Sequence, residues 1–211
     1  MLDGNRRGGY PLCMVAIPLI LASASPRRRE ILTAAGIAFE IVPADVDERI
    51  RSGEPPAECA VRLAADKALA VARRVGPKPP RRVLGADTIV VLDGAILGKP
   101  RDANHALELL ERLAGREHEV MTGVALAASD TLAVSKTVVV SRVQMHAADR
   151  ADLTRYVASG EPLDKAGAYA IQGEGRRLVA SLSGSESNVI GLPLEETLAL
   201  LASAPESTAS P

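Results

Sequence analysis

The sequence contains very few aromatic residues and cysteines. Its 211 residues include no tryptophan, one phenylalanine and three tyrosines. Proteins that bind single-stranded nucleic acid stack the bases on aromatic side chains, so this scarcity argues against such a partner. Cys13 and Cys59 are too few for a disulfide framework and lack the spacing of metal ligands. We therefore expect reduced thiols in a cytoplasmic protein.

The chain also lacks an excess of charge of either sign. Its formal net charge is −1, so no overall basic field attracts it to nucleic acid or to a membrane surface. Any anion site must therefore be local. Hydrophobic residues make up 47% and charged residues 24% of the sequence, which is enough to form a substantial core.

The N-terminal region contains arginines before an apolar run at residues 12–22, a pattern that resembles a signal peptide. Pro18 interrupts this run, and the small residues after it suit a strand that enters a helix. We favour a cytoplasmic start, with Met14 as an alternative initiator. The expected organisation is a flexible extension at 1–17, one folded catalytic domain at 18–202 and a disordered tail at 203–211.

Strand-like and helix-like patterns alternate along the chain. They predict a mixed α/β (α+β) fold with a central mixed sheet flanked by helices. The predicted strands are 19–22, 39–42, 83–92, 95–97, 120–127, 132–143 and 178–182, and the predicted helices are 26–36, 56–75, 102–115, 148–158 and 194–202. The segment 164–175 is predicted to be a glycine-rich loop.

Three consecutive arginines follow Ser23, Ser25 and Pro26 at the start of the first predicted helix, for which Ser25 is the expected N-cap. Cations there oppose the helix dipole by about 0.3–1 kcal/mol each. A bound polyphosphate would remove this conflict, because backbone N–H groups, hydroxyls and the guanidinium groups of Arg27 and Arg28 all bind phosphate. The alternative is that these arginines point into solvent or pair with acidic residues.

Asp87 is a single charge within the apolar strand 83–92. Burying such a carboxylate is costly unless it is paired or binds a metal, which favours a functional role. The alternative is an exposed position on the strand.

Lys67 interrupts the apolar stripe of the helix 56–75, and Lys99 follows a predicted hairpin. Both suit phosphate binding, although Lys67 could extend to the surface and Lys99 could be a turn residue. Asp45, Asp47 and Glu48 form an acidic loop that could hold a divalent cation or simply be solvated.

Other familiar site patterns are missing. The sequence has no P-loop, dinucleotide-binding or serine-hydrolase motif. His105, His118 and His146 lack metal-ligand spacing, so we expect them at the surface or at helix caps.

Eight segments taken in order closely resemble the Maf family of nucleoside triphosphate pyrophosphatases. They are L-A-S-A-S-P-R-R-R, A-D-V-D-E-R, R-L-A-A-D-K-A, L-G-A-D-T-I-V-V-L, L-G-K-P, T-G-V-A-L, D-K-A-G-A-Y-A-I-Q-G and I-G-L-P-L. The resemblance extends from about Leu19 to Leu201.

The resemblance implies a two-lobed, ITPase-like fold with a cleft, a homodimer, and cleavage of a nucleoside triphosphate between its α- and β-phosphates. It also implies a divalent cation, Mg²⁺, Mn²⁺ or Co²⁺, and Asp87 as the catalytic carboxylate. We expect Glu48 and Asp87 to hold the cation, which makes Glu48 a second catalytic residue. The expected substrate-binding residues are Ser23, Ser25, Arg27, Arg28, Lys67, Thr88, Lys99 and Gln172.

Arg27, Thr88 and Gln172 resemble the branch of the family that favours dTTP and UTP. The implied role of such an enzyme is the removal of unwanted nucleotides. Modified pyrimidine nucleotides, 7-methyl-GTP and deaminated purine nucleotides are alternative substrates. A regulator of cell division that binds nucleotide with little turnover is an alternative of another class.

Overall fold

The computed structural model describes residues 18–203. The predicted extension at 1–17 and residues 204–211 lie outside the described residues. One residue of the predicted tail does not match the prediction, because Ser203 is the last residue of the C-terminal helix.

The secondary structure follows the predicted order closely. The strands are β1 (Leu19–Leu21), β2 (Phe39–Ile41), β3 (Arg82–Leu92), β4 (Ala95–Leu97), β5 (Glu117–Ala128), β6 (Val134–Met145) and β7 (Val179–Ser183). The α-helices are α1 (Pro26–Ala34), α2 (Pro56–Val75), α3 (Ala103–Leu113), α4 (Arg150–Ala158), α5 (Glu186–Ile190) and α6 (Leu194–Ser203). None of the helices in the described part of the chain is long and apolar enough to cross a membrane.

Two regions differ from the prediction. The short helix α5 was not predicted, and the segment expected to be a loop at 164–175 contains turns of 3₁₀ helix. The 3₁₀ helices are Glu161–Asp164, Ala166–Ala168 and Gly173–Leu178. Helices this short carry too few residues to show an apolar period in the sequence.

The seven strands form one mixed sheet in the order β2-β1-β3-β5-β6-β7, with β4 paired to β3 as a hairpin. The strands β2, β1 and β3 run parallel, whereas the pairs β3–β5, β5–β6 and β6–β7 are antiparallel. The predicted mixed sheet flanked by helices is confirmed.

Helix α2 lies unusually close to the sheet because two glycines face it. A Cβ atom on Gly85 of β3 would lie 2.2 Å from the Ala64 carbonyl oxygen, and one on Gly123 of β5 would lie 2.2 Å from that of Ala60. The two alanines are themselves fully buried. This close packing brings α2 against β3 beside Asp87, which is directly opposite Gly123 in the sheet.

The apolar core surrounds the sheet on both faces. One cluster joins α3, α4 and the 3₁₀ segment to the sheet, with Leu110, Tyr156 and Ala168 fully buried. A second cluster joins α1 and α6 to the other end of the sheet around Leu32 and Leu84. A cleft remains in the molecule, and residues 87–90 in the middle of β3 line it.

Candidate functional site

The cleft contains a cavity of about 660 Å³. Ligand sites commonly have volumes of roughly 300–1,000 Å³. All ten residues predicted for the site line this cavity: Ser23, Ser25, Arg27, Arg28, Glu48, Lys67, Asp87, Thr88, Lys99 and Gln172. The fold therefore brings together residues that are up to 149 positions apart in the chain, from Ser23 to Gln172.

Lys67 forms the centre of the charged cluster. Its Nζ atom lies 2.6 Å from Oδ1 of Asp87 and 2.7 Å from Oε1 of Glu48. Lys67 and Asp87 are 9% and 8% exposed, whereas the Glu48 side chain is 51% exposed. Lys67 thus points inward along the apolar stripe, and the alternative that it extends to the surface is wrong.

The electrostatics at Glu48 favour its ionised form. Partial burial raises its pKa, but the hydrogen bond and charge of Lys67, followed by the charges of Lys99 and Arg28, lower the pKa overall. Glu48 and Asp87 thus share one lysine, and the charge of Arg28 also acts on both carboxylates.

Arg28 fixes the loop before α1 to distant parts of the chain. It donates hydrogen bonds to the Gly191 carbonyl oxygen at 2.8 Å, to Ser23 Oγ at 3.0 Å and to Thr88 Oγ1 at 3.3 Å. All three acceptors are uncharged, and no carboxylate in residues 18–203 lies within ion-pair distance of this guanidinium. Burial lowers the pKa of Arg28, and the charge of Asp87 opposes this effect.

Ser25 occupies the predicted N-cap position of α1, but its side chain makes no capping hydrogen bond. Instead its backbone N–H donates to Ser23 Oγ at 3.2 Å. The first turn of α1 also carries no acidic residue. Ser25 and Arg27 line the cavity. The N-terminus of α1 beside them carries the positive end of the helix dipole, which favours an anion.

The cavity is also lined by Lys99, just after β4, and by Gln172, just before the third 3₁₀ helix. Both residues are exposed to the cavity. Lys99 is therefore more than a turn residue, since it lines the cavity and its charge acts on Glu48.

Three contributions to the cavity were not predicted. Asp164 and Lys165 line it as an ion pair of 2.6 Å, and the Gly191 carbonyl oxygen holds Arg28. Asp164 and Lys165 stand in a segment of mostly small residues, and these adjacent charges are the signal that could have revealed them. A backbone carbonyl such as that of Gly191 gives no signal in the sequence.

The predicted acidic loop does not act as one cluster. Of Asp45, Asp47 and Glu48, only Glu48 reaches the cavity. Asp47 instead accepts a hydrogen bond of 2.8 Å from Nε of Arg49 on the exposed surface. Of the two possibilities for this loop, solvation therefore describes Asp47, and only Glu48 remains available to a cation in the cavity.

The loop at 43–55 has no regular structure, and Arg62 of α2 fastens it. Nε and Nη2 of Arg62 lie 2.6 and 2.7 Å from the two carboxylate oxygens of Glu54. Nη2 also donates to the Arg49 carbonyl oxygen at 3.2 Å. The hydrogen bonds from Arg62 lower the pKa of Glu54 to about 2. Arg62 thus holds the part of the loop that directly follows Glu48.

His118 differs from the expectation of a surface or capping histidine. It is 3% exposed, and its Nε2 atom lies 2.7 Å from the Tyr169 hydroxyl. Burial lowers the pKa of His118 to about 4. Since Tyr169 lines the cavity, His118 is a neutral support behind its wall.

Glu48 and Asp87 are also the residues that fit a divalent cation. No group of three or more His, Cys, Asp and Glu residues with ligand geometry occurs between residues 18 and 203. Mg²⁺ commonly binds one or two carboxylates together with substrate phosphate oxygens and water. A pair of carboxylates at the end of a cation-lined cavity matches this type of site.

Residues 18–204 match the family model described as Maf-like protein. A protein from Myxococcus xanthus named dTTP/UTP pyrophosphatase is 53% identical over 87% of this chain and 90% of its own length. Proteins of the same name from Anaeromyxobacter dehalogenans and Salmonella typhimurium are each 51% identical, over 87% of this chain and 92% and 91% of their own lengths. A HAM1 protein from Coxiella burnetii has a similar fold, with a TM-score of 0.51, 18% identity and coverage of 89% of this chain and 100% of that chain.

Proposed function

The chain belongs to the Maf family, and we propose that it hydrolyses dTTP and UTP to the nucleoside monophosphate and pyrophosphate. Its role would be the removal of unwanted nucleotides from the pool. The observation that carries the proposal is the buried pair of Lys67 and Asp87, which faces a cavity lined by further cations. The relatives named dTTP/UTP pyrophosphatase support the choice of substrate.

The charges of the cavity fit a triphosphate. Arg27, Arg28 and Lys99 all line it. Arginine binds phosphate oxygens in a bidentate manner, and lysine binds them as a point charge. These cations would stabilise the charge that grows on the leaving pyrophosphate, which is the main task in phosphoryl-transfer catalysis.

Asp87 is the residue best placed to act on water. Lys67 binds its Oδ1 atom, and we assign proton transfer from the attacking water to Oδ2. The hydrogen bond from the Lys67 ammonium fixes the orientation of the carboxylate before reaction. Water then attacks the α-phosphorus, the bond to the bridging oxygen breaks, and pyrophosphate leaves with that oxygen.

Glu48 and Asp87 would hold a divalent cation, Mg²⁺, Mn²⁺ or Co²⁺. When bound, such an ion neutralises phosphate charge and orients the substrate. The partial exposure of Glu48 suits a ligand that must admit both the ion and the substrate.

Gln172 is the candidate for reading the base. Its amide can both donate to and accept from a pyrimidine edge. Thr88 has a different task, because its hydroxyl lies 2.9 Å from Thr122 Oγ1 and accepts from Arg28. We assign Thr88 to the orientation of Arg28.

A panel of nucleotides tests the proposal. Purified protein is incubated with dTTP, UTP, 5-methyl-UTP, 7-methyl-GTP and dITP in the presence of Mg²⁺, Mn²⁺ or Co²⁺, and pyrophosphate, orthophosphate and monophosphate are measured separately. We expect pyrophosphate and monophosphate in equal amounts, with the highest kcat/KM for a pyrimidine nucleotide. Orthophosphate as the first product would contradict cleavage between the α- and β-phosphates, and binding without turnover would indicate a regulator.

Two further expectations remain proposals. A cytoplasmic location is supported by the buried, unpaired thiol of Cys59. A homodimer is supported by β6, in which residues 134–141 pair only with β5 in the described sheet and Val140 is 43% exposed. Such an edge can pair with another strand. Analytical ultracentrifugation of the wild type and of Val140→Lys tests the dimer, which the charge should weaken.

A further inference from the structure

The segment that carries Lys165 and Gln172 consists of three short 3₁₀ helices joined by turns. Single turns of 3₁₀ helix have little stability of their own. Both residues line the cavity, so their positions must be fixed by other contacts. Glu161, at the start of the segment, supplies several of these contacts without itself lining the cavity.

The Glu161 carboxylate closes the turn that follows Gln172. The backbone N–H of Glu174 donates to Oε2 at 2.9 Å, and that of Gly175 donates to Oε1 at 3.0 Å. Between them and Gln172, Gly173 has a φ of +65°, and a Cβ atom there would lie 2.5 Å from Oε2 of Glu161. The turn is therefore built around the carboxylate.

Tyr156 connects this carboxylate to α4. Its hydroxyl donates to Oε1 of Glu161 at 2.9 Å and accepts from the backbone N–H of Ala170 at 3.3 Å. Tyr156 is fully buried, so it forms a rigid anchor. The buried Tyr156 side chain thus holds the backbone on both sides of Gln172. It binds Ala170 directly, and it binds the turn at 173–175 through Glu161.

Glu161 is held in its ionised form. Burial raises its pKa, but the hydrogen bonds from Glu174, Gly175 and Tyr156 lower the pKa overall. A charged acceptor makes these bonds stronger than those to a neutral amide. The Glu161 carbonyl oxygen also accepts from Lys165 Nζ at 2.5 Å, which fixes the second cavity residue of the segment.

We infer that Glu161 is a positioning residue that sets the place of Gln172 and thereby the selection of the nucleobase. This inference rests on the proposed function, because it assigns Gln172 to reading the base. Glu161 acts on the backbone turn beside Gln172, so its loss should alter discrimination among bases more than the chemical step.

The test variant is Glu161→Gln, which keeps the size of the side chain. The carboxylate of Glu161 has two acceptor oxygens, which bind two backbone N–H groups and a tyrosine hydroxyl. The amide of glutamine has only one acceptor oxygen, so it cannot accept all three hydrogen bonds in the same way. Glu174→Gln is the matched control, because its exposed side chain changes in the same way while its backbone N–H remains. We expect Glu161→Gln to lower the ratio of kcat/KM for dTTP to that for dCTP about tenfold through KM, with kcat within about threefold.

A double-mutant cycle with Gln172→Ala shows whether Glu161 acts through Gln172. If it does, Glu161→Gln leaves the dTTP/dCTP ratio unchanged in the Gln172→Ala background. An equal loss of kcat with both nucleotides, or the same loss of selectivity without Gln172, would overturn the inference. If Glu161→Gln does not fold, Tyr156→Phe breaks the same network and is judged by the same ratios.

The outcome can be separated from that of the proposed function. If the wild type releases no pyrophosphate from any nucleotide, the proposed function fails. The inference is then decided by the Kd values for dTTP and dCTP, measured by calorimetry with wild type, Glu161→Gln and Glu174→Gln. Equal base preference in all three proteins would overturn it, and loss of preference in Glu161→Gln alone would support it.

Discussion

Nζ of Lys67 on α2 lies 2.6 Å from Oδ1 of Asp87 on β3, with both residues less than one tenth exposed. Taking two such charges out of water costs several kcal/mol, and their attraction does not reliably exceed this cost. The pair is therefore better explained by function than by stability. It places an oriented carboxylate at the end of a cavity suited to polyphosphate.

Replacing Asp87 with asparagine should abolish pyrophosphate release while the protein stays folded. Asparagine keeps the shape of the side chain but cannot take a proton from water, and the loss of a general base typically lowers kcat by about 10²–10⁴-fold. Single-turnover pyrophosphate release and the circular dichroism spectrum check both parts. Asp93→Asn, on the exposed β3–β4 turn, is the control and should remain active. Activity of Asp87→Asn within tenfold of wild type would contradict the assignment of Asp87 as the general base.

Gly123→Ala should both destabilise the protein and reduce its activity. The added Cβ would lie 2.2 Å from the Ala60 carbonyl oxygen, so α2 must move away from the sheet and carry Lys67 with it. Overpacking of this kind costs about 1–3 kcal/mol, and each kcal/mol lowers Tm by roughly 2–4 °C in a protein of this size. Calorimetry and kcat measure the two effects.

Gly98→Ala is the matched stability control for Gly123→Ala. A Cβ atom on Gly98 would meet nothing within 4 Å beyond its chain neighbours, and the φ of Gly98 is not positive, so alanine should leave Tm unchanged. Equal Tm values for wild type and Gly123→Ala would show that α2 does not depend on this close approach.

Local signals account for what could be predicted. Pro56 and Gly76 bound α2 as expected, and the apolar stripe that includes Lys67 correctly indicated its buried face. Asp87 was identified because a lone carboxylate in an apolar strand needs a partner. The resemblance to a family then brought these separate features into one site.

Long-range contacts account for what could not be predicted. Arg28 is bound by a carbonyl oxygen 163 residues away, and no local pattern announces such a partner. Burial of His118 also depends on packing against a distant segment that contains Tyr169. The short helix α5 has only five residues, too few for a period to be read.

Arg62→Met should lower kcat without abolishing the fold. The substitution removes the bonds to Glu54 and to the Arg49 carbonyl oxygen, which hold the part of the loop that directly follows Glu48. A catalytic group displaced by about 1 Å can cost up to about 10²-fold, so we expect a ten- to hundredfold loss. Steady-state kinetics with dTTP at saturating metal measures it.

Two comparisons isolate the role of Arg62. Arg73→Met removes an exposed arginine from the same helix and should leave kcat unchanged. In the Glu48→Gln background, Arg62→Met should have little further effect, because the two residues act as one unit. Additive losses would mean that Arg62 does not act through Glu48.

Stability should fall as the pH drops from about 6.5 to about 4, in part because of His118. Its pKa is lowered from 6.5 to about 4 in the folded protein, so the unfolded chain binds a proton in this range and the folded protein does not. The contribution of His118 to the free energy of unfolding is therefore complete above pH 6.5 and declines by up to roughly 3 kcal/mol as the pH falls through this range.

Urea unfolding across this range should show a weaker pH dependence for His118→Gln, which cannot titrate, than for wild type or for His146→Gln at an exposed position. A proton NMR titration that gives His118 an ordinary pKa would contradict the prediction.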